Sequence, residues 1–414
     1  MSNLVPEGWS VEALDSVTKV IDSAHQTPVF SSSGYPMVRV GDIKGGRINL
    51  AGTASVSTEV FDVFTKKYQP QYNDILMTRV GSYGRSSIVK TDKAFCLGQN
   101  TVVVNPKSID ADYLYQFLQG QNAKDQIEDT VGGSSQKSLS LDAIKNLKVP
   151  ISPLSEQKKI ASILTSVDDV IEKTQAQIDK LKDLKTGMMQ ELLTSGVGVD
   201  GKPHTEFKDS PVGKIPKGWD CCLLDKVAKR GSGHTPDKKK PEYWNDGVKW
   251  VSLTDSSKLD KLYISDTAKK ISQLGIENSS ATLHPKGTVV MARDAGVGKS
   301  AIMTSSMAVS QHFMAWVCGE KLDNYFLYYL LQHWKPQFEA IAMGSTIKTI
   351  GLPYFKKLQI PVPSIEEQRV ISGALKSVDN KMFALERKHK QLTNTKKALM
   401  QDLLTGKVRV KVDS

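Results

Sequence analysis

Pro150-Ile151-Ser152-Pro153-Leu154-Ser155-Glu156-Gln157 is answered 211 positions later by Pro361-Val362-Pro363-Ser364-Ile365-Glu366-Glu367-Gln368. The same offset of 211 joins Leu192-Leu193-Thr194 to Leu403-Leu404-Thr405, so the segments between these marks match without insertion. Upstream, Val5-Pro6-Glu7-Gly8-Trp9 returns as Ile215-Pro216-Lys217-Gly218-Trp219, at an offset of 210. Fainter echoes lie between. Leu76-Met77-Thr78-Arg79 matches Val290-Met291-Ala292-Arg293, Gly98-Gln99-Asn100 matches Ser310-Gln311-His312, and the loops ending at Lys137 and Lys348 correspond. The chain is a duplication in which each half joins a divergent globular part to a closely matching second part.

The matching parts read as long helices. From Glu156 to about Leu193, apolar residues recur at Ile160, Leu164, Val167, Ile171, Ile178 and Leu181, in alternating steps of four and three. The second copy places Ile371, Leu375, Val378, Met382, Leu385 and Leu392 on equivalent positions. That spacing is a heptad seam. Ser155 and Ser364 stand near the expected N-caps, and Gly196 and Gly406 near the ends, where left-handed glycines commonly stop a helix. Each helix is about 57 Å long at 1.5 Å per residue and needs an apolar partner stripe. Each copy is the obvious partner for the other, in antiparallel packing; the alternative is that each packs on its own globular domain. Lys185 and Lys396 interrupt the seam. They suit the ends of an antiparallel pair, or the acidic groups of a second protein, better than a dry core.

The globular parts alternate short β-favouring runs with turns, among them Met37–Val40, Thr101–Val104, Thr288–Met291 and Phe313–Val317. Helices are expected from Asp110 to about Gln126 and from Asp323 to His333. The fold class is therefore α+β: two mixed α/β domains in a pseudo-two-fold duplication, separated by two long antiparallel coiled-coil helices. The expected boundaries are 1–150 for the first domain, 151–197 for the central helix, 198–360 for the second domain, and 361–414 for the C-terminal helix and tail.

Fifty-five Lys and Arg against 44 Asp and Glu give a net charge of +11, which favours polyanionic partners. No apolar run approaches the roughly 20 residues of a membrane span. The N-terminus carries no signal-peptide pattern, so a cytoplasmic location without membrane attachment is expected. The four cysteines fit neither a disulfide framework nor a metal site, and read as inert thiols.

A search for catalytic machinery fails. There is no Pro-Pro pair for a base-holding methyltransferase loop. Gly296-Val297-Gly298-Lys299-Ser300 resembles the end of a phosphate-binding loop, but Arg293 stands where its first glycine is needed. The histidines show no metal-ligand spacing, so no metal is expected. Side chains suited to DNA are present instead. In the first domain they are Arg39, Lys44, Arg47, Arg79, Tyr83, Arg85, Gln136 and Lys137. In the second they are Lys238, Lys239, Lys240, Trp250, Arg293, Lys299 and Lys348. For each one a solvated surface role is the competing reading.

Taken in order and in register, the two P-x-G-W starts, the Glu-Gln helix openings and the Leu-Leu-Thr helix ends resemble those of type I restriction-modification specificity subunits, over essentially the whole chain. The resemblance implies a non-catalytic subunit whose two target-recognition domains each read half of a bipartite asymmetric site on double-stranded DNA. It implies that the coiled coil sets the spacer. It also implies two modification (methyltransferase) subunits that bind S-adenosylmethionine, and restriction (translocase and nuclease) subunits that use ATP and Mg, with no cofactor in this chain. The rival readings are an enzyme carrying its own nuclease or methyltransferase, and a coiled-coil scaffold that binds only proteins. A modification-only system also fits.

Overall fold

The computed structural model describes residues 5–131 and 138–412. They fall into two compact units, one formed by Met1–Gln175 with Arg387–Ser414 and the other by Ala176–Glu386. Both long helices contribute to each unit.

In the first unit the strands are β1 (Ser10–Ala13), β2 (Thr18–Asp22), β3 (Tyr35–Val38), β4 (Ala54–Val56), β5 (Ile75–Thr78), β6 (Ser86–Ile88), β7 (Cys96–Leu97), β8 (Thr101–Pro106) and β9 (Lys148–Ile151). The helices are α1 (Leu14–Val17), α2 (Thr58–Thr65), α3 (Ala111–Gln119), α4 (Gln121–Val131), α5 (Leu141–Lys145) and the start of α6 (Leu154–Thr194). One antiparallel sheet runs β2-β8-β5-β6 and a smaller one β4-β3-β7. The fully buried Ile75, Met77, Val102 and Val104 of the larger sheet pack in one core with α3 and with Ile160 and Leu164 of α6. The single helix expected from Asp110 to Gln126 is two. Gly120 turns its N–H back to Phe117 O in extended backbone and separates α3 from α4.

In the second unit the strands are β10 (Phe207–Ser210), β11 (Gly213–Pro216), β12 (Asp220–Leu223), β13 (Ala228–Gly231), β14 (Trp244–Val251), β15 (Tyr263–Ile264), β16 (Lys269–Ile271), β17 (Leu283–His284), β18 (Val289–Ala292), β19 (Ser300–Met303), β20 (Met307–Val309), β21 (Phe313–Cys318) and β22 (Gln359–Val362). Its helices are α7 (Gln273–Glu277), α8 (Asn324–His333), α9 (Lys335–Ile341), α10 (Leu352–Lys356) and part of α11 (Ile365–Leu404). The sheets run β13-β21-β18-β19-β15 and β16-β14-β20-β17. Set beside the first unit, this is the same strand order with one strand added at an edge of each sheet. The divergence of the halves therefore lies in loops and edges, where insertions are tolerated.

The motifs that mark the repeat build one junction in each unit. β1 pairs with β9 and β12 with β22, all antiparallel, which brings each P-x-G-W segment beside a Glu-Gln helix start. In the first unit Trp9 Nε1 donates to Glu156 Oε2 at 3.3 Å, and Arg409 adds a two-pronged ion pair to the same carboxylate. In the second, Glu367 Oε1 accepts from Trp219 Nε1 (3.0 Å), Val197 N (3.2 Å) and His204 Nε2 (2.8 Å). The neighbouring glutamine ties in the next helix: Gln157 accepts from Asp110 N, the cap of α3, and Gln368 from Asp323 N, the cap of α8. Gly196 and Gly406, at φ 69° and 71°, end the long helices here. A Cβ on Gly196 would lie 2.5 Å from the Trp219 ring, and one on Gly406 would lie 2.4 Å from Pro6. The repeated motifs thus lock the ends of the long helices down. Ser364 caps its helix by accepting from Glu367 N, whereas Ser155 lies one residue inside α6, which begins at Leu154.

The seam residues are buried or half-buried in both long helices, and none is exposed. The packing of the two is antiparallel, and the seam lysines show it. Lys396 reaches Asp168 at 2.7 Å in the first unit, and Lys185 reaches Asp379 at 2.7 Å in the second. The lysines lie neither at the ends of the pair nor free for another protein, because the opposite helix supplies an aspartate to each. That aspartate is held in turn by the domain: Gln116 Nε2 donates to Asp168 and Tyr329 OH to Asp379. Burial, then the Asp379 charge, pushes the Tyr329 hydroxyl up, so it stays a donor. The alternative of helix on domain also holds in part. Ile160, Leu164, Ile371 and Leu375 belong to the globular cores.

Candidate nucleic-acid interface

In the first unit β2 and β5 end, and β8 begins, at one edge of the larger sheet, since Asp22 faces Val102 and Thr78 faces Thr101. Arg79 follows β5 directly. Its Nη1 donates to both oxygens of Asp22 (3.0 and 3.1 Å) and its Nε to Leu139 O (3.0 Å). His25 Nε2 donates to Asp22 from the other side at 2.7 Å. The glycine-rich loop after Arg79 is folded back by Thr78, whose carbonyl accepts from Gly84 N. Gly84, at φ 73°, takes a left-handed turn that favours glycine, and a Cβ there would stand 2.9 Å from the end of the Ile127 side chain. Arg85 on this loop is exposed, while Tyr83 OH donates to Glu128.

The second unit builds the same edge from different positions. Arg293 follows β18, 3.5 Å from Asp294, and His312 Nδ1 donates to that aspartate at 2.7 Å. An arginine, an aspartate and a histidine thus meet at both edges, but only Arg79 hydrogen-bonds its aspartate; Arg293 Nε and Asp294 Oδ1 are buried without a hydrogen-bond partner among the described residues. Lys299 is half-buried on the glycine-rich loop and Lys348 is exposed beside it. Thr349 and Asp294 form a β-bridge that brings the two loops together.

The remaining candidates divide. Arg39 is exposed, lies against Gly98 at this edge, and stacks over the exposed Phe30 at 5.6 Å. Lys238, Lys239 and Lys240 are exposed on the loop after β13. Lys44 is exposed. Arg47 is held by Asp169 of α6 at 2.7 Å. Trp250 is buried, its indole N–H donating to His234 O, so it positions the β13 loop instead of presenting a ring to solvent. Gln136 and Lys137 lie outside the described residues.

Asp22, His25, Asp294 and His312 escaped the sequence reading, as did a tether described below. A repeated Thr-Pro, at Thr27-Pro28 and Thr235-Pro236, was the signal available for that tether. Among the described residues no group of three or more His, Cys, Asp and Glu is placed to hold a metal, and no helix is long and apolar enough to cross a membrane. Burial pushes the Cys96 and Cys318 thiols up to about 12, helped at Cys318 by Asp323, which leaves them protonated and unreactive.

The family model for the type I restriction modification DNA specificity domain matches residues 6–183 and, a second time, residues 216–394. The chain belongs to that family. Two members from Methanocaldococcus jannaschii are similar over nearly the full length. The putative type I restriction enzyme MjaX specificity subunit is 29% identical, over 98% of this chain and 95% of that one. The type I restriction enzyme MjaVIII specificity subunit is 28% identical, over 98% and 94%. The crystal structure of the S subunit of a type I restriction-modification system from M. genitalium shares the fold, with a TM-score of 0.64 at 16% identity over 97% of both chains. A family member with two specificity domains, mixed helix and sheet, and paired long helices is what the sequence led us to expect.

Proposed function

We propose that this chain is the non-catalytic, sequence-reading subunit of a type I restriction-modification complex. Each unit reads one half of a bipartite, asymmetric site on double-stranded DNA, and the paired helices set the spacer. Two modification subunits supply S-adenosylmethionine-dependent adenine methylation. Restriction subunits, where present, supply ATP- and Mg-dependent translocation and cleavage. The recognition domains correspond to about residues 1–150 and 198–360, and the complex works in the cytoplasm. The observation that carries this reading is the polar sheet edge built twice, once per unit, with Arg79, Arg85 and Arg39 in one and Arg293, Lys299, Lys348 and Lys238–Lys240 in the other. Arginine and lysine at loop ends suit base edges and phosphates. The buried Trp250 and the ion-paired Arg47 and Arg79 are given supporting parts in this reading, Arg79 by fixing the edge on which the exposed cations stand.

The test is to co-express the chain with its genomic neighbours, purify the complex, and map adenine methylation on bulk DNA. A split motif, two short half-sites around a fixed gap, is the expected result. Methylation without a split motif, or a complex that forms and leaves DNA unmarked, returns the chain to the scaffold reading. Methyl transfer or cleavage by the isolated chain would make it an enzyme.

The helix register makes a second prediction. Asp168 to Lys185 on α6 and Asp379 to Lys396 on α11 span equal lengths in opposite directions. One heptad inserted between Gln175 and Ala176, with another between Lys388 and His389, therefore keeps both ion pairs. It adds about 10.5 Å of helix, so the preferred spacer should grow by roughly three base pairs. Methylation that stays on the original spacer would show that the helices do not set it.

A further inference from the structure

At the polar edge, a glutamine–threonine pair recurs in both units with donor and acceptor exchanged. Gln99 Nε2 donates to Thr27 Oγ1 at 3.5 Å, and Thr235 Oγ1 donates to Gln311 Oε1 at 2.6 Å. Each glutamine precedes the strand second from one edge of its sheet, β8 or β21, and each threonine begins a Thr-Pro step in the loop that leaves β2 or β13. The residue before each glutamine is fixed by the neighbouring sheet: Gly98 N donates to Val38 O and Ser310 N to Val251 O.

The second loop is held at several further points. Gly233 passes so near β20 that a Cβ would stand 1.6 Å from Val309 O. Ser232 Oγ donates to Phe313 O, and Trp250 and Trp244 donate to His234 O and Asp237 O. The glutamine is thus presented from a fixed backbone, and the threonine holds its amide.

An exposed hydrogen bond of this kind adds no more than about 1 kcal/mol of stability, which is a poor reason for it to survive in two halves that share few loop residues. A glutamine amide has two N–H donors and two acceptor lone pairs. The Thr27 bond uses one donor of Gln99 and the Thr235 bond one lone pair of Gln311. Each amide keeps an N–H and a lone pair directed by the tether, the pattern that matches adenine N7 and N6 in the major groove. The flanking groups are suited to phosphate: Arg39 beside Gln99, and the Lys238–Lys240 run beyond Thr235.

We propose that Gln99 and Gln311 are the base-reading side chains of the first and second units, each held by its threonine and each specifying an A·T pair in the half-site its unit reads. This rests on the two-domain DNA-reading function above. The experiment uses the assembled complex with its modification subunits, in three forms: wild type, Gln99→Ala and Gln311→Ala. Methylation is mapped on bulk DNA, and thermal unfolding is recorded for each form. Gln99→Ala should relax one A·T position in one half-site, cutting the preference for the correct base by roughly five- to a hundred-fold, with the other half-site unchanged. Gln311→Ala should do the same in the opposite half-site. The untouched half-site serves as the internal control for folding. A motif unchanged in both variants overturns the inference, as does a uniform loss across both half-sites or a lowered unfolding temperature without any change of motif. A wild-type complex that gives no split motif sinks the underlying DNA-reading function instead, before the variants are compared.

Discussion

Trp219→Ala is expected to lower the stability of the second unit by about 3–5 kcal/mol, the usual cost of emptying a buried tryptophan site. Trp219 is 1% exposed and sits where the end of α6, the β12–β22 pair and the start of α11 meet. Its loss opens a cavity and removes one of three donors from the buried carboxylate of Glu367. Chemical denaturation followed by intrinsic fluorescence should show an earlier transition, and limited proteolysis should cut sooner in the segment after Gly196. Trp219→Phe separates the two contributions in large part, because it keeps an aromatic ring in the site and removes the N–H. It should cost about 1.5–3 kcal/mol, the range for a lost hydrogen bond to a charged group. A Trp219→Ala change below about 1 kcal/mol would mean that this junction does not hold the helix end.

Asp379→Ala should cost about 2–3 kcal/mol, because it strands two donors at once. Lys185 Nζ, on a side chain 20% exposed, loses its 2.7 Å partner, and Tyr329 OH loses its acceptor. A fully buried pair broken this way costs about 3–5 kcal/mol; partial exposure of this one lets water screen the stranded charge. Lys185→Met alone should cost less, since Tyr329 still satisfies one oxygen of Asp379. The double variant Lys185→Met with Asp379→Ala should recover part of the loss, because it removes the stranded charge and leaves only Tyr329 OH without its acceptor. A double-mutant cycle on the unfolding midpoint measures the coupling. Strict additivity of the two single variants would show that Lys185 and Asp379 do not act together. The corresponding pair in the first unit, Asp168 and Lys396, should behave alike with Gln116 in place of Tyr329.

Both results turn on features that the sequence marked without explaining. The two lysines were visible as breaks in the seam, but not their partners, which lie on the other helix 194 and 228 positions away. The P-x-G-W and Glu-Gln motifs were visible as repeats and carried the family resemblance. That Trp219 binds Glu367 across 148 positions, and that Gly196 fits only against that ring, was not. Among the candidate DNA contacts, residue type and local turn chemistry picked out Arg79, Arg85, Arg293 and Lys348, which the fold gathers at one edge per unit. The same reasoning had no means of learning that Trp250 points inward, or that Arg47 answers Asp169. It placed Gln99 and Gln311 next to strands as structural residues, because the echo between the halves does not say what a glutamine faces.

The sequence by itself determined the duplication, the α+β class, the two long helices and the places of several strands, β3, β8, β18 and β21 among them. Each is written in short-range periodicity, 3.5 or 2 residues, or in the direct comparison of one half with the other. The tertiary structure alone decided the strand order shared by both units, the break at Gly120, the pairing of each seam lysine, and the meeting of arginine, aspartate, histidine, glutamine and threonine at the sheet edge. Those contacts join residues far apart in the chain. Their energy depends on which elements become neighbours, and no local pattern holds that information.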